Sequence, residues 1–194
     1  MHGTANFPGE ILESKRQLIL RHARQHFVSE GYAATRMEPI AREAGVSTAT
    51  LYTLFSGKAA LFSAVIDDAA EDFARQMAGV RAIEGDARSA LTSFALTYAA
   101  FMGDPFVRSI FRLVMAERPR FQAVALRFFE KGRTEFGAAL IGIIVRLSKS
   151  GALRPVEHPL FFVPLVTGDE VRVRRTNAEV ADEAVETFLA RYGV

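Results

Sequence analysis

The stretch "AREAGVSTATLYTLFSGKAALF", residues 41–62, ends one helix at Gly45 and begins another at Ser47. Glycine suits a turn in which a Cβ would be strained, and serine is a good helix N-cap. Two short helices joined by such a turn form a helix-turn-helix. Its buried side follows from spacing: Ile40, Ala41 and Ala44 of the first helix meet Val46, Leu51 and Phe55, and the alanines allow close approach. The second helix, Ser47 to Phe55, is poor in core material, since only Leu51, Leu54 and Phe55 are large and apolar. With Leu51 at the centre of the buried face and about 100° per residue, Ala49, Tyr52 and Thr53 point outward. Thr50 then lies at the side, and Ser47 and Thr48 occupy the N-terminal tip.

The rest of the chain also reads as helix. Residues 1–9 contain Gly, Asn and Pro without periodicity and read as a frayed arm. From about Ile11 the spacing is helical: Ile19, Ala23 and Phe27 recur every four residues, and Gly31 follows as a stop. Thr35 with Glu38 predicts a capping box at the start of a helix over about 36–44. A fourth helix opens near Lys58 and runs through Leu61, Phe62, Val65, Ile66, Ala69 and Phe73. Asp86 caps the next, Asp104-Pro105 opens another, and a long helix covers about 119–149. Pro159 opens a helix to about Arg175, bent at Pro164. Asn177 caps the last, with an apolar stripe of Ala181, Ala184, Val185, Phe188 and Leu189. The expected fold class is all-α with about nine helices. A three-helix head with the helix-turn-helix covers residues 1–58, and a helical body covers residues 59–194.

Composition narrows the chemistry. Hydrophobic residues make up 49% of the 194, enough to bury a real core. Cysteine is absent, which excludes disulfides, thiolate nucleophiles and thiolate metal sites. The N-terminal segment "MHGTANFPGEILESKRQ" lacks an apolar signal-peptide core. The longest apolar run, "FFVPLV", is far short of the roughly 20 residues of a membrane span. A soluble cytoplasmic protein is expected. The net charge of +2 lies wholly in residues 1–58, which carry seven Lys or Arg against five Asp or Glu. That asymmetry suits a head that binds a polyanion. No Ser-His-Asp spacing, phosphate-binding glycine loop or metal motif is present, so neither enzyme activity nor a cofactor is expected. His22 and His26 share a helix face but have no obvious third ligand, so no metal is expected.

The outward face of the third helix is small, polar and short. At 1.5 Å per residue it spans about 10 Å, against a major groove about 12 Å wide. Hydroxyls there can bond to base edges or phosphates, and the methyls of Ala49 and the threonines can meet thymine methyls. Tyr52 can donate to a phosphate. Lys58 adds charge to a helix N-terminus that already favours an anion. The same pattern also serves an ordinary αα-hairpin packed in a helical core.

"GYAATRMEPIAREAGVSTATLYTLFSGKAALF" resembles the DNA-binding head of the TetR/AcrR family of bacterial transcriptional regulators, with the likeness running through residues 16–66. Its marks are Phe27, Gly31-Tyr32, Thr35, Ile40-Ala41, Ala44-Gly45-Val46-Ser47, Leu51-Tyr52, Phe55 and Lys58. The resemblance implies DNA binding by Thr35, Arg36, Ser47, Thr48, Thr50, Tyr52 and Lys58, with Arg36 the leading candidate for a base or phosphate contact. The outward Ala49 and Thr53 complete the expected set. Three positions depart from the family pattern. Leu54 stands where His or Tyr often touches phosphate, Thr48 where Lys or Arg is frequent, and Ser56 where Pro is frequent. Fewer cations predict a shallow salt dependence.

Thirteen of the sixteen phenylalanines follow residue 58. On helices, Phe94, Tyr98 and Phe101 share a face, as do Phe111 and Met115, while Phe121, Phe128 and Phe129 fall within a wider arc. These side chains either fill a core or line an apolar cavity. "RLVMAERPRF" and "FFVPLVTGD" are similar to the AefR-like type of C-terminal domain, and the resemblance implies a cavity that binds an inducer. The expected ligand-binding residues are Phe94, Tyr98, Phe101, Phe111, Met115, Phe128, Phe162 and Asp169. Glu170, Arg112 and Glu117 are further polar candidates. The stripes in "PLFFVPLVTGDEV" and "VADEAVETFLARY" would leave an oily patch on a monomer, which predicts a homodimer through the last two helices. Two heads can then read half-sites about 34–36 Å apart. The resemblance as a whole implies a repressor released from a palindromic operator by a small apolar ligand. The rival readings are an architectural DNA-binding protein without a ligand and an all-helical enzyme.

Overall fold

The computed structural model describes residues 8–78, 85–159, 162–163 and 176–194. Among them are eight α-helices: α1 (Pro8–Ala34), α2 (Met37–Glu43), α3 (Thr48–Leu54), α4 (Lys58–Ala78), α5 (Ala87–Gly103), α6 (Pro105–Glu117), α7 (Gln122–Lys149) and α8 (Asn177–Tyr192). The all-α class is as expected, and a ninth helix, expected over 159–175, falls almost wholly outside the described residues. The chain divides into two compact units. One takes residues up to 69 together with 109–128, and the other takes 70–108 with 129–194.

In the first unit, α1 leaves helical geometry at Gly31, whose φ of 76° favours glycine. The expected capping box of Thr35 with Glu38 does not form. Thr35 turns back instead, and its hydroxyl donates to the Gly31 carbonyl at 2.7 Å. The N-cap of α2 is Arg36, in extended backbone and with no side-chain cap. A polar side chain can serve the end of one helix or the start of the next, and Thr35 serves the end of α1, where its backbone N–H also donates to Gly31 O at 3.3 Å.

The other end of α2 follows the sequence closely. Gly45 takes φ 67°, Val46 N–H donates to Ala41 O at 3.0 Å, and Gly45 N–H donates to Arg42 O at 3.2 Å. These two bonds form a Schellman motif, which satisfies the last carbonyls of α2 and turns the chain. Ser47 then caps α3, accepting from Thr50 N at 3.0 Å. Ile40, Ala41, Ala44, Leu51 and Phe55 are buried between α2 and α3, with Ile19, Leu20, Ala23 and Phe27 of α1 also buried.

The second unit is built around α5, α7 and α8. Its core joins Leu91, Phe94 and Ala95 with Leu140, Ile143, Ile144 and Leu147, and with Ala181, Val185 and Phe188. Asp86 caps α5 as expected, accepting from Ser89 N at 2.8 Å. The cap of α8 is Thr176 rather than Asn177, in a full capping box with Glu179. The apolar stripe of α8 also departs from expectation. Ala181, Ala184, Val185 and Phe188 are buried within their own unit and Leu189 is half-buried, so most of this stripe is core of its own unit. Among the described residues no single helix is long and apolar enough to cross a membrane.

Candidate nucleic-acid interface

The helix α3 presents two chemically distinct faces. Leu51 is fully buried, while Tyr52 keeps 48% of its surface exposed. Ser47, Thr48, Ala49 and Thr53 are exposed with it, and Thr50 is half-buried. The register read from the sequence therefore holds. The hydroxyls differ in freedom. Ser47 Oγ and Thr50 Oγ1 share a hydrogen bond of 2.8 Å, and Thr53 Oγ1 donates to Ala49 O at 2.9 Å. For the Thr48 and Tyr52 hydroxyls no hydrogen-bond partner occurs among the described residues. They stand open to an external acceptor or donor.

Two residues of the expected set are placed differently from the rest. Thr35 is 1% exposed and bonded to Gly31, so its side chain faces the interior. Lys58 Nζ donates to Ala33 O and Thr35 O, both at 3.0 Å, and lies 4.7 Å from the Tyr32 ring centroid. An ammonium has three donors, so one remains for an anion. The two carbonyls that Lys58 holds lie immediately before the exposed Arg36.

Arg16 escaped the sequence reading. Its guanidinium lies 5.8 Å from the ring centroid of Phe55, the residue that ends α3. This puts a cation of α1 beside the end of the outward helix. No spacing in the sequence relates residue 16 to residue 55, so nothing there could have found it.

The two histidines form a polar clamp. His26 lies 2.7 Å from Glu30 Oε1 through Nδ1 and 3.0 Å from Glu43 Oε2 through Nε2. His22 Nδ1 lies 3.6 Å from the same Glu43 oxygen. Burial lowers the basicity of His26, but the hydrogen bonds and negative charge of Glu30 and Glu43 outweigh it and hold the imidazole above its ordinary value. Among the described residues no group of three or more His, Asp or Glu side chains is arranged to hold a metal ion.

The residues expected to bind a ligand fall in both units. Phe94, Tyr98, Phe101 and Phe162 belong to the second, where they join an aromatic chain. Phe94 stacks on Tyr98 at 5.8 Å, Tyr98 meets Phe136 at 5.3 Å, and Phe136 meets Phe101 at 4.9 Å. Phe94 also approaches Phe162 at 6.1 Å. Burial pushes the Tyr98 phenol above its ordinary pKa. Phe101 also lines an open cleft of about 520 Å³ with Gln76, Leu96, Thr97, Ala100 and Asp104. Phe111 and Phe128 belong to the first unit, where they pair edge to face at 5.1 Å. Met115 on α6 is 52% exposed. Asp169 and Glu170 lie outside the described residues.

A tight helix-turn-helix with an outward, polar second helix has the dimensions and surface of a module that reads a DNA major groove. Residues 19–65 match the model of bacterial regulatory proteins of the tetR family. Residues 89–161 match the C-terminal domain of AefR-like transcriptional repressors. Among solved structures, a protein assigned to the TetR family of transcriptional regulators from Mesorhizobium loti is 25% identical, with a TM-score of 0.79 over 94% of this chain and 98% of that one. A flavonoid-responsive regulator, FrrA, is 26% identical, with a TM-score of 0.72 over 92% and 97%. A TetR regulator from Agrobacterium tumefaciens, 24% identical, shares the fold with a TM-score of 0.72 over 93% and 94%. No curated protein matches the chain. The chain belongs to the TetR family of bacterial transcriptional regulators, with a C-terminal domain of AefR-like type. It is a DNA-binding regulator of the ligand-responsive kind that family comprises.

Proposed function

We propose that the protein is a repressor that binds a near-palindromic operator as a homodimer and is released by a small apolar ligand. The observation that carries this reading is the outward face of α3, where Thr48, Ala49 and Tyr52 are exposed around a fully buried Leu51. On this reading the methyls and hydroxyls of Ser47, Thr48, Ala49, Thr50 and Thr53 meet base edges, and Tyr52 donates to a phosphate. Arg36 reaches a base or phosphate from the start of α2, and the remaining donor of Lys58 reaches a phosphate. Thr35 supports the turn that carries Arg36. The second copy pairs through the last two helices, α8 being anchored in its own core by the buried Val185 and Phe188.

A ligand with flat apolar rings suits the aromatic chain of Phe94, Tyr98, Phe101, Phe136 and Phe162, because rings pair offset or edge to face. The response of FrrA to flavonoids makes that chemical class the first to try. Coupling between ligand and DNA sites is typically about 1–3 kcal/mol, or about 5–150-fold in affinity.

Selection of duplexes from a random-sequence pool by the full chain tests the DNA claim. An inverted repeat with half-sites about 10 base pairs apart, or a multiple of that, is expected. Gel shifts on the selected duplex with a flavonoid panel test release. Failure to enrich any duplex overturns the reading.

A further inference from the structure

Tyr32 lies at the end of α1, a few residues before Arg36, and it is almost fully enclosed. Phe27 stacks on it at 6.0 Å and Phe62 meets it edge-on at 5.2 Å. Those neighbours belong to α1 and α4. Two further neighbours come from the turn between α6 and α7, far along the chain. The Phe121 ring meets Tyr32 edge to face at 4.9 Å, and it lies 4.6 Å from Phe62. The Arg120 guanidinium lies 5.1 Å from the Tyr32 centroid. The Lys58 ammonium lies 4.7 Å from the same centroid. All of these groups belong to the first compact unit, which includes residues 109–128.

The consequence follows from what Lys58 holds. Its ammonium binds the ring of Tyr32 and, at the same time, the carbonyls of Ala33 and Thr35. Those carbonyls precede Arg36, the N-cap of α2, whose side chain makes no cap of its own. Three interactions therefore fix the direction of the α1–α2 turn: the Thr35 bond to Gly31, the Lys58 bonds, and the ring contacts on Tyr32. The last is the one supplied by the α6–α7 turn. A quadrupolar ring held edge-on by another ring, with cations nearby, has a preferred orientation that aliphatic packing does not impose.

We infer that Arg120 and Phe121 are positioning residues for DNA recognition. By gripping Tyr32 they orient the turn that presents Arg36, so the placement of the α6–α7 turn sets the affinity of the head for DNA. This rests on the DNA-binding reading above and adds to it a point of control.

The test uses the full chain, at a temperature where every variant is folded, and reads two quantities: affinity for the duplex selected by the wild-type protein, and amide hydrogen exchange over residues 33–44. Arg120 is exposed, so Arg120→Gln removes the cation without opening a cavity. It is expected to weaken DNA binding about threefold, the scale of an exposed cation–π contact. Phe121→Leu keeps most of the volume and loses the ring. It is expected to weaken binding more than Arg120→Gln and to speed exchange over 33–44. Phe121→Tyr and Arg120→Lys keep ring and cation and are expected to restore both readouts. Exchange in α5 and α8 is expected to stay as in wild type. The inference is overturned if Phe121→Leu binds DNA like wild type, or if exchange rises equally in α5 and α8. If the wild type selects no duplex, the functional reading fails by itself. Exchange over 33–44 then decides the positional claim: faster in the variants supports it, and unchanged overturns it.

Discussion

At Gly45 the backbone has φ 67°, and a Cβ added there would meet nothing within 4 Å. A substitution at this position is therefore a test of backbone strain alone. Gly45→Ala is expected to cost about 1–2 kcal/mol, while Gly45→Asn costs less because Asn tolerates the left-handed region. Urea unfolding reads this as a lower midpoint at unchanged slope; a neutral alanine would contradict the turn geometry. His26 offers a second test at the same scale. Its side chain is 14% exposed, and it faces Glu30 on α1 and Glu43 on α2, with His22 beside the same Glu43 carboxylate. Its pKa is raised in the folded protein, so the folded state holds a proton that the unfolded chain loses first on the way up in pH. The clamp thus contributes fully below the unfolded pKa of about 6.5 and fades as pH rises through the higher folded value. Thermal midpoints are expected to fall between about pH 6 and pH 8, and His26→Gln should flatten that slope. An unchanged slope in the variant would assign the pH dependence elsewhere.

The elements α1 and α4 are tied by Arg24 and Asp68, whose side chains are only 13% and 17% exposed. Asp68→Asn takes from the half-buried Arg24 guanidinium its carboxylate partner on α4. It is expected to cost about 1–3 kcal/mol, and the double replacement Arg24→Met with Asp68→Leu should recover most of it. Chemical denaturation of the three proteins decides, and a double variant as unstable as the single one would show that the pair itself supplies net stability. This tie was invisible in the sequence, as were the others made between distant elements. What could be read was local. Gly45 and Ser47 marked the turn, Leu51 fixed the register of α3, and Asp86 and Asp104 marked helix starts. Each rests on a backbone need met by a residue a few positions away. Periodicity also showed that one face of α8 is apolar. It could not say that Val185 and Phe188 join the core that α5 and α7 share, because a stripe has the same spacing whichever surface buries it. The same limit applied to Thr35 and Lys58. The family resemblance implied DNA contacts for both, but the structure commits the Thr35 hydroxyl to Gly31 and two Lys58 donors to backbone carbonyls.

At the scale of the whole molecule, the number of cations available to DNA sets how binding responds to salt. Thr48 and Leu54 stand where cationic or phosphate-touching side chains are frequent in the family. Of the remaining candidates, Arg36 is exposed, Arg16 sits by the end of α3 and Lys58 has one donor left. If each neutralises one phosphate, two heads neutralise about six, and log K should fall with log[salt] at a slope of about −5. Arg36→Ala removes one contact from each head and should bring the slope to about −4, weakening binding to every duplex and not only to the operator if the contact is to phosphate. If Arg36 instead reads a guanine, the operator loses about 1–3 kcal/mol while non-specific duplex binds nearly as before. Titrations at four or five salt concentrations, on operator and on unrelated duplex, separate the two. A wild-type slope of about −10 would mean that cations beyond these three reach the backbone. The basic face would then be wider than α3 and its neighbours provide, and recognition would rest more on charge than on the small, polar surface that α3 presents.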